Sequence, residues 1–326
     1  MTLFIAAFDG RSVTDVLLAA VLGLVAFALL TASVILLRRP VTFSRRATLT
    51  ADQEIKITID DSFTQSVCDY SVGFLRFNRE GKIETATPAG TGTFAKVGKV
   101  YGILTAGHVL KPMGTKEVIG LVRFPSVQPP LQNFRLDLDH TERKVTWNGK
   151  DCDAPDIAFL KIPEIDGRNL EAAGAVFYNL GLAREFSARK PEHRMSKCYV
   201  VVGVVGEWTE DVSGSLTKGK KINIGGLFGA AKNLREFKES NTDLVEVEID
   251  HAAGPKIPRS YGGVSGGALW ELHVELDKQL KPVQVNKRLH GVAFRESDDR
   301  RRITSNAAPS IDTITKQIEA KCPNGS

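Results

Sequence analysis

Three short segments of the sequence contain residues that could together perform hydrolysis. His108 ends a Leu-Thr-Ala-Gly-His segment, Asp156 begins an Asp-Ile-Ala-Phe-Leu segment, and Ser265 lies within Gly-Val-Ser-Gly-Gly. A serine hydroxyl is a poor nucleophile at neutral pH unless an imidazole accepts its proton, and a carboxylate must orient that imidazole. Each residue also lies at the end of a predicted strand. The set therefore predicts acyl transfer through an activated serine.

Other residues of the same types lie elsewhere in the chain. Asp151 and Asp153 are near competitors of Asp156. The five other histidines lack a comparable sequence context; they are His140, His193, His251, His273 and His290. An aspartate at the start of a strand often serves only as a turn residue, so the three segments carry the prediction as a set.

The set resembles the sequence motifs of trypsin-like serine peptidases with the chymotrypsin fold. The order His, Asp, Ser and the gaps of 48 and 109 residues are close to those of that family. The Gly-Thr-Gly-Thr-Phe segment at residues 90–94 is similar to the Gly-x-Gly-x-hydrophobic hairpin that precedes the histidine in bacterial members. The resemblance covers about residues 66–315.

The resemblance implies an all-β domain of two antiparallel six-stranded β-barrels, with the active site in the cleft between them. His108 and Asp156 would come from the first barrel and Ser265 from the second. His108 would act as general base and then general acid, Asp156 would orient it, and Ser265 would form the acyl-enzyme. The backbone N–H groups of Gly263 and Ser265 would form the oxyanion hole. The implied substrate is a protein or peptide, and neither a metal nor an organic cofactor is required.

The sequence departs from the digestive members of the family in two places. No cysteine follows His108 directly, and Val264 replaces the aspartate that precedes the serine. A new N-terminus would therefore find no carboxylate partner, so we expect no activation by N-terminal cleavage. The chain is more similar to bacterial Deg-type or viral members, although we expect no C-terminal PDZ module.

Arg259 lies six residues before Ser265, where the family places the floor of its primary specificity pocket. At that floor it would favour an acidic side chain, but we interpret it as an exposed loop residue. No cleavage preference follows.

Hydrophobic alternation predicts short strands separated by turns over most of the chain. The predicted strands are Val72–Phe77, Thr91–Val97, Val100–Thr105, Val118–Phe124, Lys144–Trp147, Ile157–Ile162, Cys198–Val205, Thr242–Ile249, Gly267–Leu272 and Arg288–Phe294. We assign the peptidase domain to 66–320, with a first barrel at about 66–163 and a second at about 197–305. A helical or irregular connector covers 164–196, and an amphipathic helix is predicted from about Ala308 to Ala320.

The N-terminal part has a different composition. Val16 to Leu37 contains no charged residue, and as a helix it would extend about 33 Å, enough to cross a bilayer. We therefore predict an N-terminal tail and transmembrane helix in 1–37, followed by a juxtamembrane linker in 38–65 with one strand, Glu54 to Ile59. Arginines 38, 39, 45 and 46 follow the apolar run, so the positive-inside tendency places the catalytic domain in the cytoplasm of a single-pass membrane protein.

The composition excludes several other classes. The formal net charge is only +5, and the basic runs at 218–221 and 300–302 are interpreted as solvated loops, so no nucleic-acid partner is expected. Hydrophobic residues make up 42% and charged residues 25%, as in a folded protein. The four cysteines are scattered, with no Cys-x-x-Cys pair, which argues against a zinc site and favours free thiols.

Two alternatives remain at this stage. Gly263, Ser265 and Gly267 also fit the Gly-x-Ser-x-Gly turn of α/β-hydrolases, with Asp277 and His290 as partners, but too little chain follows for the rest of that fold. The chain could instead be a catalytically silent trypsin-fold scaffold at a membrane. All three catalytic residue types are present, which favours the enzyme.

Overall fold

The structure is a computed structural model, and it describes most of the chain beyond residue 66. The described residues are 42–45, 55–58, 67–80, 83–123, 133–145, 154–181, 195–213, 218–222, 231–249, 251, 258–276 and 282–321. The predicted membrane span at Val16–Leu37 lies outside them. Within the part that the structure describes, no helix combines the length and hydrophobicity needed to cross a bilayer.

The described strands and helices follow one another with few helical interruptions. The strands are β1 (Thr42–Arg45), β2 (Ile55–Thr58), β3 (Ser71–Glu80), β4 (Ile83–Val97), β5 (Val100–Thr105), β6 (Val118–Arg123), β7 (Asn133–Asp137), β8 (Glu142–Val145), β9 (Ala158–Lys161), β10 (Tyr178–Asn179), β11 (Met195–Val202), β12 (Thr209–Ser213), β13 (Lys218–Ile222), β14 (Ala231–Glu239), β15 (Thr242–Ile249), β16 (Ala268–Leu276), β17 (Pro282–Glu296) and β18 (Arg302–Ala307). The α-helices are α1 (Gly107–Leu110), α2 (Glu164–Ala172) and α3 (Ala308–Lys321).

The first large sheet has the strand order β7-β6-β3-β4-β5-β9-β8, and all pairs along it are antiparallel. Its two end strands, β7 and β8, are consecutive in the chain and are separated only by the 3-10 helix Leu138–His140 and Thr141. The sheet must therefore curl until its ends meet. Counting β7 and β8 as one bent strand gives six strands, the number expected for the first barrel.

The second large sheet has the order β11-β16-β17-β18-β15-β14 and is also antiparallel throughout. Its end strands β11 and β14 approach each other, which shows that this sheet is curled as well. The pairs β1–β2 and β12–β13 form separate two-stranded sheets. The described part of the chain is thus mostly β, with two curled antiparallel sheets, as predicted.

One hydrophobic core joins both sheets to the C-terminal helix. Phe159 of β9 and Trp270 of β16 are fully buried in the same cluster. The helix α3 adds Ile311, Ile314 and Ile318 to this cluster, at the spacing of one helical face. Two further cores lie within the individual sheets. The shared core therefore fixes the first sheet against the second, and the segments of His108 and Ser265 lie at the junction between them.

Most strand predictions are confirmed, and β5 and β15 match residue for residue. Strands β1, β7, β10, β12, β13, β14 and β18 were not predicted, and β4 begins earlier than predicted. The predicted helix at 308–320 corresponds to α3. The predicted connector contains α2 and the short parallel strand β10, while 182–194 lies outside the described residues. The strand predicted at Glu54–Ile59 corresponds to β2.

Two of the four cysteines, Cys68 and Cys198, are described, and they form no disulfide with each other. Burial raises the pKa of Cys68 to about 12, so this thiol stays protonated and unreactive at neutral pH. Cys152 and Cys322 lie outside the described residues.

Ile314 tests the contribution of α3 to the shared core. Its side chain is fully buried, so Ile314→Ala should lower the free energy of unfolding by about 2–5 kcal/mol, measured by urea denaturation. Ile165 of α2 is 65% exposed, and Ile165→Ala should change stability by less than about 0.5 kcal/mol. Equal effects of the two variants would contradict the packing described for α3.

Candidate active site

His108 and Asp156 are in direct contact. The imidazole Nδ1 lies 2.6 Å from Asp156 Oδ2, and the backbone N–H of His108 donates to Asp156 Oδ1 over 2.9 Å. The two oxygens of one carboxylate therefore hold both the ring and the backbone of His108. Because Nδ1 faces the carboxylate, Nε2 is the ring nitrogen that remains for a reacting group. The His108 side chain is 38% exposed and that of Asp156 is 15% exposed.

Both residues are positioned by ordinary features of the first sheet. β5 ends at Thr105, Ala106 remains in an extended conformation, and the one-turn helix α1 begins at Gly107. Asp156 precedes β9, which pairs with β5 in antiparallel register. Asn306 of β18 donates from Nδ2 to the Asp156 carbonyl over 2.8 Å, so the second sheet also fixes this aspartate.

Arg143 of β8 supports the chain that follows His108. Its guanidinium donates to the carbonyl oxygens of Leu110, Met113 and Gly114 at distances of 3.2, 2.6 and 2.7 Å. A helix end leaves several carbonyl groups without intrahelical partners, and a cationic donor stabilises them. Arg143 therefore connects the chain after α1 to β8, an end strand of the first sheet.

Ser265 lies in a loop in which hydrogen bonds to two carbonyl groups fix the orientation of two peptide planes. The amide of Gly206 donates to the carbonyl of Gly262 over 2.7 Å, and the amide of Gly267 donates to the carbonyl of Val264 over 2.8 Å. In a trans peptide the N–H points opposite to the C=O. The N–H groups of Gly263 and Ser265 are thereby turned away from the loop's internal hydrogen bonds.

These two amides differ from their neighbours in their partners. Val264 and Gly266 donate to Tyr261 and Ala293 carbonyls, respectively. Among the residues that the structure describes, the Gly263 and Ser265 amides have no hydrogen-bond acceptor. Two free N–H groups that point to one place can bind a developing oxyanion. They are the same two amides that the resemblance of the motifs implied.

Gly266 is required by the conformation of this loop. Its φ is +85°, and a Cβ atom would lie 2.0 Å from both Thr105 Oγ1 and the Thr91 carbonyl oxygen. No side chain fits at that distance. The Ser265 loop therefore packs directly against the strands that lead to His108.

Thr91 is the residue that joins the two sheets at this point. Its amide donates to the Ser265 carbonyl over 2.9 Å, and its hydroxyl donates to the Gly263 carbonyl over 2.8 Å. The same hydroxyl accepts the Val204 amide at 2.7 Å, and Thr105 Oγ1 donates to the Thr91 carbonyl at 2.6 Å. Thr91 is fully buried, so these bonds are shielded from water.

Gly90 lies against both the His108 segment and the Ser265 segment. A Cβ atom built on Gly90 would lie 2.7 Å from Val109 Cγ1 and 3.2 Å from the Ser265 carbonyl oxygen. The structure thus brings the side chain of Val109, the residue after His108, and the backbone of Ser265 to the same side of Gly90. Within the described residues, no hydrogen bond joins the Ser265 hydroxyl to the His108 ring.

The other sequence candidates lie elsewhere. His290 is buried and faces Glu271, with Nδ1 3.5 Å from Glu271 Oε2. The pKa of Glu271 is lowered by His290 and then by Lys197, against the opposing effect of burial. Arg259 is exposed, as interpreted from the sequence. Asp151, Asp153 and Asp277 lie outside the described residues.

The residues that support the site were not identified from the sequence. Thr91 was noted only as part of a hairpin motif, and Asn306 and Arg143 were not noted at all. Their partners are 172, 150 and about 30 residues away in the chain, so no local pattern marks them. In the part of the chain that is described, no group of three or more His, Cys, Asp or Glu side chains could hold a metal ion.

Comparisons with known proteins give no close relative. No family model and no curated protein matches the sequence. Among solved structures, the inactive form of Rv3671c from M. tuberculosis H37Rv is similar, with 14% identity over 78% of this chain and 89% of that chain, at a TM-score of 0.37. Catalytically active tobacco etch virus protease complexed with product is similar at 9% identity over 83% of this chain and 84% of that chain, at a TM-score of 0.38. At these TM-scores the similarities establish neither fold nor activity.

The bonds of Thr91 can be tested through stability. Thr91→Val would leave the Val204 amide and the Gly263 carbonyl buried without partners, so the free energy of unfolding should fall by about 1–3 kcal/mol for each orphaned group. Thr91→Ser keeps the hydroxyl and should cost only about 1 kcal/mol for the lost methyl group. Urea denaturation of both variants measures the difference, and equal losses would contradict the role of the hydroxyl.

Proposed function

We propose that this chain is a serine endopeptidase that hydrolyses peptide bonds of a protein or peptide substrate through an acyl-enzyme. The observation that carries the proposal is the pairing of His108 with Asp156 next to a loop with two free amides. An oriented imidazole and a prepared oxyanion site are the two parts that acyl transfer to serine requires. The two curled antiparallel sheets further support a chymotrypsin-like fold.

The proposed reaction begins when His108 Nε2 accepts the Ser265 hydroxyl proton as Ser265 Oγ bonds to the substrate carbonyl carbon. The carbonyl π electrons move to oxygen, and the Gly263 and Ser265 amides donate to that oxyanion. Asp156 stabilises the imidazolium that forms. The carbonyl then re-forms, the C–N bond breaks, and His108 gives its proton to the leaving amine. Water repeats these steps on the acyl-enzyme and releases the acid.

The Ser265 hydroxyl must approach His108 for this reaction. Catalytic hydrogen bonds in free enzymes are often long and tighten only when substrate is bound. The Ser265 carbonyl and the Val109 side chain both lie against Gly90, so the segments that carry Ser265 and His108 are already neighbours. The membrane anchor at Val16–Leu37 and the cytoplasmic position of the domain belong to the same proposal, and their support comes from the sequence.

One observation favours the second candidate, a catalytically silent scaffold with this fold. It is that Ser265 and His108 form no hydrogen bond among the described residues. The pair of free amides favours the enzyme, because a scaffold has no need for an empty oxyanion site. Covalent labelling separates the two candidates.

A fluorophosphonate probe should label the folded wild-type protein at Ser265. Ser265→Ala should abolish labelling because the nucleophile is lost, and His108→Ala should reduce the rate by at least about 10³-fold because the base is lost. His290→Ala is the matched histidine control, and it should leave the rate nearly unchanged because His290 contacts Glu271 instead. Gel fluorescence and mass spectrometry measure the extent and the site of labelling.

Other outcomes of this labelling experiment would contradict the proposal. Folded wild-type protein without any labelling would favour the scaffold. Labelling that survives Ser265→Ala, or that depends on His290 and not on His108, would refute the proposed site.

Asp156→Asn tests the orientation of the base separately. The amide is nearly the same size as the carboxylate but cannot stabilise an imidazolium, so the labelling rate should fall by about 10³- to 10⁴-fold. Asp139→Asn is the control, because Asp139 is exposed and belongs to the 3-10 helix between β7 and β8. An Asp156→Asn variant that is labelled within about twofold of wild type would contradict the assigned role.

A further inference from the structure

The segment before the oxyanion loop is held by two carboxylates. Glu207 Oε2 accepts the amides of Arg259 and Ser260 at 2.8 and 3.0 Å. Glu296 Oε1 accepts the amide of Tyr261 at 3.2 Å. Three consecutive backbone amides therefore donate to side-chain carboxylates. Such a run is unusual for a loop, whose amides more often donate to backbone oxygens or to water.

The two carboxylates come from different elements of the fold. Glu207 lies in the 3-10 helix Gly206–Trp208, and Glu296 is the last residue of β17. Gly206, directly before Glu207, donates its amide to the Gly262 carbonyl. Gly206 and Glu207 thus form hydrogen bonds with both ends of the segment 259–262.

These hydrogen bonds fix the peptide group that contains the Gly263 N–H, one of the two proposed oxyanion donors. The Gly262 carbonyl and the Gly263 N–H belong to the same planar peptide group. When Gly206 binds the carbonyl, the N–H must point in the opposite direction. If the segment 259–262 were released, that peptide would be free to rotate and the donor would be lost.

The sequence offers no other charged group for this purpose in the loop. Val264 occupies the place directly before the serine, and it is buried among apolar residues of the second sheet. The Val264 side chain therefore cannot form an ion pair. The conformation of the loop must therefore be fixed by residues outside it. The carboxylates of Glu207 and Glu296 are charged acceptors for the amides that precede the loop. Hydrogen bonds to charged acceptors are roughly twice as strong as those between neutral groups.

Tyr261 lies next to both contacts along the chain. Its amide donates to Glu296, and the preceding residue, Ser260, donates its amide to Glu207. The Tyr261 ring is buried, and its phenol oxygen lies 3.3 Å from His251 Nε2. Burial raises the pKa of the phenol, and the negative charges of Glu296 and Glu207 raise it further, so Tyr261 is uncharged at neutral pH.

We propose that Glu207 and Glu296 are positioning residues that hold the Gly263 N–H in its oxyanion-binding orientation, in place of a buried ion pair within the loop. This inference rests on the proposed function, because the oxyanion site has a purpose only if Ser265 is acylated. It adds that the loop is assembled without a separate activation step.

The test uses the full chain with p-nitrophenyl acetate as a small acyl donor and with the fluorophosphonate probe. Glu207→Ala should lower the acylation rate at saturating ester by about 10- to 100-fold, because a displaced oxyanion donor weakens binding of the transition state. The half-saturating ester concentration should change by less than about threefold. Glu296→Ala should act in the same direction.

Two matched variants distinguish positioning from general stability. Glu207→Gln keeps an oxygen acceptor for the Arg259 and Ser260 amides, so it should restore acylation to within about fivefold of wild type. Glu142→Ala removes an exposed glutamate that pairs with Lys161 in the first sheet, and it should leave acylation unchanged. Hydrogen exchange of a peptide covering 258–264 should be faster in Glu207→Ala and not in Glu142→Ala.

The outcomes separate this inference from the proposed function. The inference would be overturned if Glu207→Ala and Glu296→Ala were acylated at the wild-type rate while Ser265→Ala was not acylated. That result would leave the peptidase proposal in place. Full acylation by Ser265→Ala would overturn the peptidase proposal itself. A Glu207→Gln variant as slow as Glu207→Ala would overturn the role of the acceptor oxygen.

Discussion

The four hydrogen bonds of Thr91 are the constraint on which the candidate site depends. Two of them reach the Ser265 loop, one reaches Val204 beyond β11, and one comes from Thr105 at the end of β5. Because Thr91 is fully buried, water cannot replace any of these partners without a large cost. The serine loop of the second sheet and the histidine strand of the first are therefore parts of one rigid unit at this point.

The candidate catalytic side chains and the residues that support them have different environments. Thr91 and Asn306 are fully buried, whereas His108 is partly exposed. This division suits a site in which a few side chains must contact a substrate while the backbone around them stays fixed. Asn306 illustrates the division, since its amide binds the carbonyl of Asp156 and leaves the carboxylate to His108. Asp156 is thus held from both sheets, although it belongs to the first.

The sequence predicted the contact between His108 and Asp156 better than it predicted the strands around them. His108 and Asp156 were paired correctly because their motifs are local and specific. β14 was missed because Leu234 and Phe237 lie three residues apart, a helical spacing, and a bulge next to Leu234 interrupts its strand register. β18 was missed because Thr304, Ser305 and Asn306 are polar but buried. Only pairing with distant strands explains that burial, and single-sequence patterns carry no information about such pairing.

The C-terminal helix has a consequence for biosynthesis. Ile311, Ile314 and Ile318 of α3 complete the core that both sheets share. A chain still attached to the ribosome lacks this face until residue 321 has left the exit tunnel, so the junction between the sheets cannot be completed before then. The nascent polypeptide would thus acquire its assembled cleft late, after every strand that lines it has already been made.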